Sequence, residues 1–185
     1  AGGFDPARRP EKALAVYRDL ATLLEKADDP AGAEAALTRA RDIVTTHRKR
    51  LVVPGGLTPA EADTALAETQ EKLGRVLAAQ KKADAAADAF RAAHAVYADP
   101  TRLNDRAAAA RLDWNLSAAL AAKGDPAAAL RHLEAFLKLR PQAVEPFERL
   151  SDLMRQAGRA DDTIPALRRY ATADPDNLPL HAVLA

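Results

Sequence analysis

Residues 110–143 and 144–177 carry the same pattern at a distance of 34. Leu116 pairs with Leu150, Ser117 with Ser151, Leu120 with Met154 and Gly124 with Gly158. Leu130 likewise pairs with Ile164, Leu133 with Leu167 and Pro141 with Pro175. Self-similarity at such a period limits the fold severely. Each unit is one supersecondary element that cannot bury its apolar face alone, so neighbours must stack to make a core. The pattern recurs upstream at Leu73, Gly74, Leu77, Ala86 and Phe90, and again at Leu20, Ala21, Leu24, Ala33 and Leu37. Leu184 and Ala185 begin it once more.

The element inside each unit is helical. Ala, the best helix former, supplies about a quarter of the chain, while aromatics make up 4% and strand-favouring residues are scarce. Breakers divide each unit in two: Asp28-Asp29-Pro30, Gly124-Asp125-Pro126 and Gly158. Gly suits the left-handed residue that closes a helix, and Pro suits the first turn of the next. In the second unit Lys81 and Lys82 stand there instead, so its turn has the weakest signal. Pro100, Pro141 and Pro175 are expected to stop the second helices. Small residues (Ala21, Gly74, Ser117, Ser151) mark where paired helices approach closely. Between units, VVPGG reads as a loop. Thr58 and Glu61 form a capping box that opens a helix from about Pro59 to about Gln80. A cap at Asn104 or Asp105 precedes the helix that reaches Arg111.

The pattern L-G-x₂-L at Leu73–Leu77, followed by A-x₃-F at Ala86–Phe90, resembles the tetratricopeptide repeat, a helix–turn–helix unit of that length. The resemblance covers four hairpins, about 14–47, 67–100, 110–143 and 144–177, with a truncated fifth from 178. It implies an all-α, helical-hairpin solenoid, a right-handed superhelix forming a single domain over 1–185. The chain reads as a fragment of a longer one. Departures are visible: the consensus aromatic of the first helix is Tyr17 and Phe147 in two hairpins but Gln70 and Asp113 in the others. Trp114, the only Trp, stands one step along.

Catalytic chemistry finds little footing. Ser117 and Ser151 occupy the small-residue packing position, and His47, His94, His132 and His181 show no metal-ligand spacing. Gly55-Gly56 lacks the Lys and Ser/Thr of a phosphate loop. Cys is absent. The expectation is no enzyme and no cofactor. Twenty-seven basic against 26 acidic residues leave a net charge of +1, so no nucleic-acid partner is expected. The run His47-Arg48-Lys49-Arg50 is assigned to a helix end, where cations complement the last carbonyls. No apolar run spans a bilayer and no signal peptide is visible in the first residues, which favours the cytoplasm. The Ala and Arg excess suggests a bacterial source.

What remains is a binding surface. In tetratricopeptide domains, ligands lie along the inner face of the first helices. The resemblance therefore implies a protein-interaction scaffold with partner-binding candidates Arg75, Arg111, Trp114, Asn115, Glu148, Asp152 and Arg155. The family's Lys/Asn carboxylate clamp is not carried over, because Thr22 and Lys72 replace its Asn residues. The alternatives are a regulatory or substrate-presenting module of a kinase or glycosyltransferase, and a self-assembly module.

Overall fold

The computed structural model describes residues 9–184. Among them are ten α-helices and no strand. They run α1 Pro10–Lys26, α2 Pro30–Thr46, α3 Arg48–Leu51, α4 Pro59–Ala79, α5 Ala83–Ala98, α6 Arg106–Lys123, α7 Pro126–Leu137, α8 Glu145–Gln156, α9 Thr163–Ala173 and α10 Leu178–Leu184. A 3₁₀ turn at Ala160–Asp162 leads into α9. The chain packs as two compact units, Ala1–Leu112 and Asp113–Ala185, with the boundary inside α6.

Four turns of one geometry establish the repeat. Asp28, Lys81, Gly124 and Gly158 occupy equivalent positions, and all four have positive φ, at 57°, 60°, 86° and 70°. In each, the next residue's N–H closes back on the first helix: Asp29 to Leu24 at 2.9 Å, Lys82 to Leu77 at 2.9 Å, Asp125 to Leu120 at 2.9 Å and Arg159 to Met154 at 2.8 Å. This is the six-to-one closure of a helix ending in a left-handed residue. The Lys81-Lys82 turn, weakest by sequence, has the same form. Asp29 and Asp125 also cap the following helices, each side chain accepting from a backbone N–H at 2.9 Å.

The remaining punctuation also appears. Thr58 accepts from the Glu61 N–H at 3.2 Å while the Glu61 carboxylate accepts from the Thr58 N–H at 2.7 Å. Asp105 caps α6 by accepting from Ala108 at 2.9 Å. The helices α5, α7 and α9 end before Pro100, Pro141 and Pro175. The basic run is more than a helix end: Arg48 begins α3 and, with Arg102, holds the buried Asp63 of α4.

In the first unit α1 packs on α2, α2 on α4 and α4 on α5. In the second, α7 packs on α8, with α9 and α10 following. The equivalent leucines Leu73, Leu116 and Leu150 are all buried, as are Leu37, Phe90, Leu133 and Leu167. The structure is thus an all-α tandem array of tetratricopeptide-like hairpins. One face departs from the pattern. Val16, Leu20 and Leu23 of α1 are 51%, 40% and 62% exposed, although their counterparts Thr69, Leu73 and Val76 on α4, and Leu112, Leu116 and Ala119 on α6, are buried. The first helix has the apolar stripe of an internal repeat, and among the described residues nothing is laid across it.

Candidate binding surfaces

Charges on the first helices pair sideways between successive repeats. Arg18 of α1 donates to Glu68 of α4. One repeat on, Arg111 of α6 grips Glu71 of α4 with two bonds, Nε to Oε1 at 3.1 Å and Nη2 to Oε2 at 3.0 Å. Arg18 and Glu71 are equivalent positions, as are Glu68 and Arg111. The same rung is therefore built twice with its polarity reversed. Between these rungs Lys72 donates to the Thr22 hydroxyl at 3.4 Å. The hydrogen bonds that Arg111 donates to Glu71 raise the pKa of Arg111. Buried Tyr97 has its phenol pKa raised by burial, with the charges of Glu71 and Glu68 adding to the shift.

In the second unit the corresponding position is Trp114, and an aromatic contact takes the place of the ion pair. The guanidinium of Arg149, on α8, lies 3.3 Å from the Trp114 ring centroid. Its Nη1 donates to the Trp114 carbonyl at 3.2 Å. Phe136 of α7 packs 5.3 Å from the Trp114 ring, tilted by 40°. Burial pushes the pKa of Arg149 down, which fits a cation held over a ring face rather than in water. Beside it, the buried Asp113 is 2.8 Å from Nδ1 of His132.

The sequence candidates therefore differ in availability. Arg75 is exposed on α4, with no ion pair among the described residues. Arg111 is committed to Glu71. Trp114 is half-buried under Arg149. Asn115 is half-buried, and Glu148 is exposed on α8. Asp152 and Arg155 pair with each other one turn apart. Sequence reasoning passed over Arg149 and Phe136. The repeat register put Glu68 and Arg111 on the inner face without pairing either with a partner.

Between α1 and α4 lies a groove of about 350 Å³. Its floor is Leu14, Leu57 and Ala65, and its lips carry Glu11, Glu61 and the Arg18–Glu68 pair. A second groove of about 370 Å³ runs between α2 and α5, floored by Leu73, Leu77 and Ala89. Small Ala side chains on α5 leave this space open. Among the described residues no helix is long and apolar enough to cross a membrane.

No protein-family model and no curated protein matches the chain. Among solved structures it is similar to MamA, with 18% identity over 87% of this chain and 91% of that one, at a TM-score of 0.47. It is also similar to the TPR domain of P58(IPK), with 17% identity over 92% of this chain and 63% of that one, at a TM-score of 0.32. The repeat assignment rests on the four equivalent turns and the equivalent buried positions.

Proposed function

We propose that the chain is a protein-interaction scaffold, without catalysis of its own, that takes an extended peptide segment along its first helices. The observation that carries this reading is the groove between α1 and α4. An apolar floor between charged lips suits a segment with apolar side chains at intervals and polar groups between them. The lateral rungs support the same reading, because they fix the spacing and orientation of the groove walls before a ligand arrives. A preformed wall lowers the ordering cost of binding. Within this reading, Arg75 offers an exposed cation on α4 of the first unit. In the second unit, Asn115, Glu148, Asp152 and Arg155 are the candidates for a contact of that unit's own. Arg111 and Trp114 hold the wall.

The test is selection of peptide ligands on the parent protein, followed by binding to two variants. Ala15→Trp fills the α1–α4 groove, and Ala85→Trp fills the α2–α5 groove. Loss of affinity with the first and retention with the second supports the reading, and the reverse moves the site to the other face.

A second reading, self-association, is favoured by the bare stripe of Val16, Leu20 and Leu23. Its test is the solution mass across a concentration series, for the parent and for Leu20→Glu. A parent that stays monomeric excludes it.

A further inference from the structure

The second unit carries an open-mouthed cleft of about 210 Å³ where α7 and α9 end and α8 and α10 begin. Leu137, Phe147, Tyr170 and Leu180 form its walls. Three of these four are fully buried core residues. Its lining surface is mostly apolar, and an apolar space of ~150 Å³ is large enough to accept benzene.

Polar groups gather at one side, and most are already satisfied. Asn177, almost wholly buried, donates from Nδ2 to the Pro141 carbonyl at 3.1 Å and to Asp174 Oδ2 at 3.0 Å. Its Oδ1 accepts from the Leu180 N–H at 3.1 Å. Asp174 Oδ2 accepts from the Gln142 amide as well, at 3.0 Å. These bonds tie the start of α10 to the turn after α7. The two cations of the lining, Lys138 and Arg140, have no ion-pair partner among the described residues. Arg140 is held at φ 54°, a left-handed conformation that favours glycine. A cationic side chain thus stands at the cleft where the backbone would be relaxed by a residue with no side chain.

We propose that this cleft binds a small amphiphilic carboxylate, with an apolar tail of about eight carbons filling the space and its head group meeting Lys138 and Arg140. An apolar interior closed by a few convergent polar groups is the usual form of a small-ligand site. Two cations facing one carboxylate supply charge-assisted contacts at the mouth. The site lies wholly within the second unit and does not depend on the groove between α1 and α4.

The experiment is calorimetric titration of the whole chain with sodium octanoate and, separately, with 1-octanol, which shares the tail and lacks the charge. Octanoate should bind about fivefold tighter than octanol, the upper end for one partly exposed charge pair. Arg140→Gly should weaken octanoate by a similar factor and leave octanol unchanged. The same variant should keep or raise the melting temperature, because glycine relaxes the left-handed backbone. Ala173→Phe, with its ring in the cleft, should abolish binding of both ligands while helical circular dichroism is retained. Equal affinity for the two ligands, octanoate binding that survives Ala173→Phe, or no binding to the folded parent would each overturn the proposal.

Discussion

The backbone of Gly74 lies against the ring of Phe90: a Cβ built on Gly74 would sit 2.6 Å from both Cδ1 and Cε1 of that ring. Helices α4 and α5 therefore approach at Gly74 too closely for a side chain at that position. Glycine inside a helix costs about 1 kcal/mol relative to alanine, so Gly74→Ala would stabilise an isolated helix. In the hairpin the clash dominates, and Gly74→Ala should lower the unfolding free energy. Gly74→Leu should lower it further, by about 3 kcal/mol. Pairing Gly74→Ala with Phe90→Leu should recover part of the loss in urea unfolding. Full additivity of the two changes would argue against the contact.

Lys81 adopts the left-handed conformation that its counterparts Gly124 and Gly158 adopt without strain. A residue with a Cβ loses about 1–2 kcal/mol there, while glycine gives back about 0.5–1 kcal/mol through its freer unfolded chain. Lys81→Gly should therefore stabilise the protein by about 0.5 kcal/mol. Gly124→Ala should destabilise it by a similar amount or more. Thermal unfolding of the two variants, in opposite directions, checks the shared turn.

Asp63 supplies a pH dependence. Burial pushes its pKa up, but hydrogen bonds from Arg102 and Arg48 outweigh burial and hold the carboxyl below its ordinary value. A carboxylate with a depressed folded pKa contributes stability that is fully present above its unfolded pKa, near 3.9. That contribution is lost as pH falls through the folded pKa. Asp63→Asn should cost about 2 kcal/mol near neutrality, the scale of a hydrogen bond to a charged group. The gap between parent and variant in urea unfolding should shrink as pH drops below about 4. A gap that is constant with pH would mean the pair carries no net charge interaction.

Trp114 carries both packing and polar contacts, with Phe136 on one side and the Arg149 guanidinium over the ring. Trp114→Ala should cost about 2–3 kcal/mol of stability, less than a fully buried Trp. Because it is the only Trp, its fluorescence reports directly on Arg149. In Arg149→Ala the ring face is uncovered, and acrylamide quenching should increase without loss of helicity. Unchanged quenching would place the guanidinium elsewhere in solution.

The repeat and its punctuation were legible because they are local. A leucine and a small residue on one helix face, a capping box at Thr58 and Glu61, and an Asp before a Pro each act within a few residues. Lys81 was not legible, since lysine has no turn signature. There the packing of the flanking helices imposes the backbone that glycine adopts elsewhere. The rungs were hidden for another reason. Glu68 and Arg111 find their partners 50 and 40 residues away, and the reversed signs erase any consensus at those positions. The binding candidates lie on α4, α6 and α8, the first helices of their hairpins. Which of them are already engaged depends on neighbours that a single repeat does not contain.

The reversed polarity of the two rungs also bears on how the array avoids mis-threading. Hairpins this similar can pair out of order during folding, a characteristic failure of tandem repeats. In the correct order Arg18 meets Glu68 and Glu71 meets Arg111. If the first hairpin skipped the second and stacked on the third, Arg18 would face Arg111, and two guanidinium groups would share a site built for one. Two uniform rungs, each with the cation on the earlier helix, would tolerate the skip. The alternation acts as a written order of assembly, carried by four side chains that add little to the stability of the finished structure.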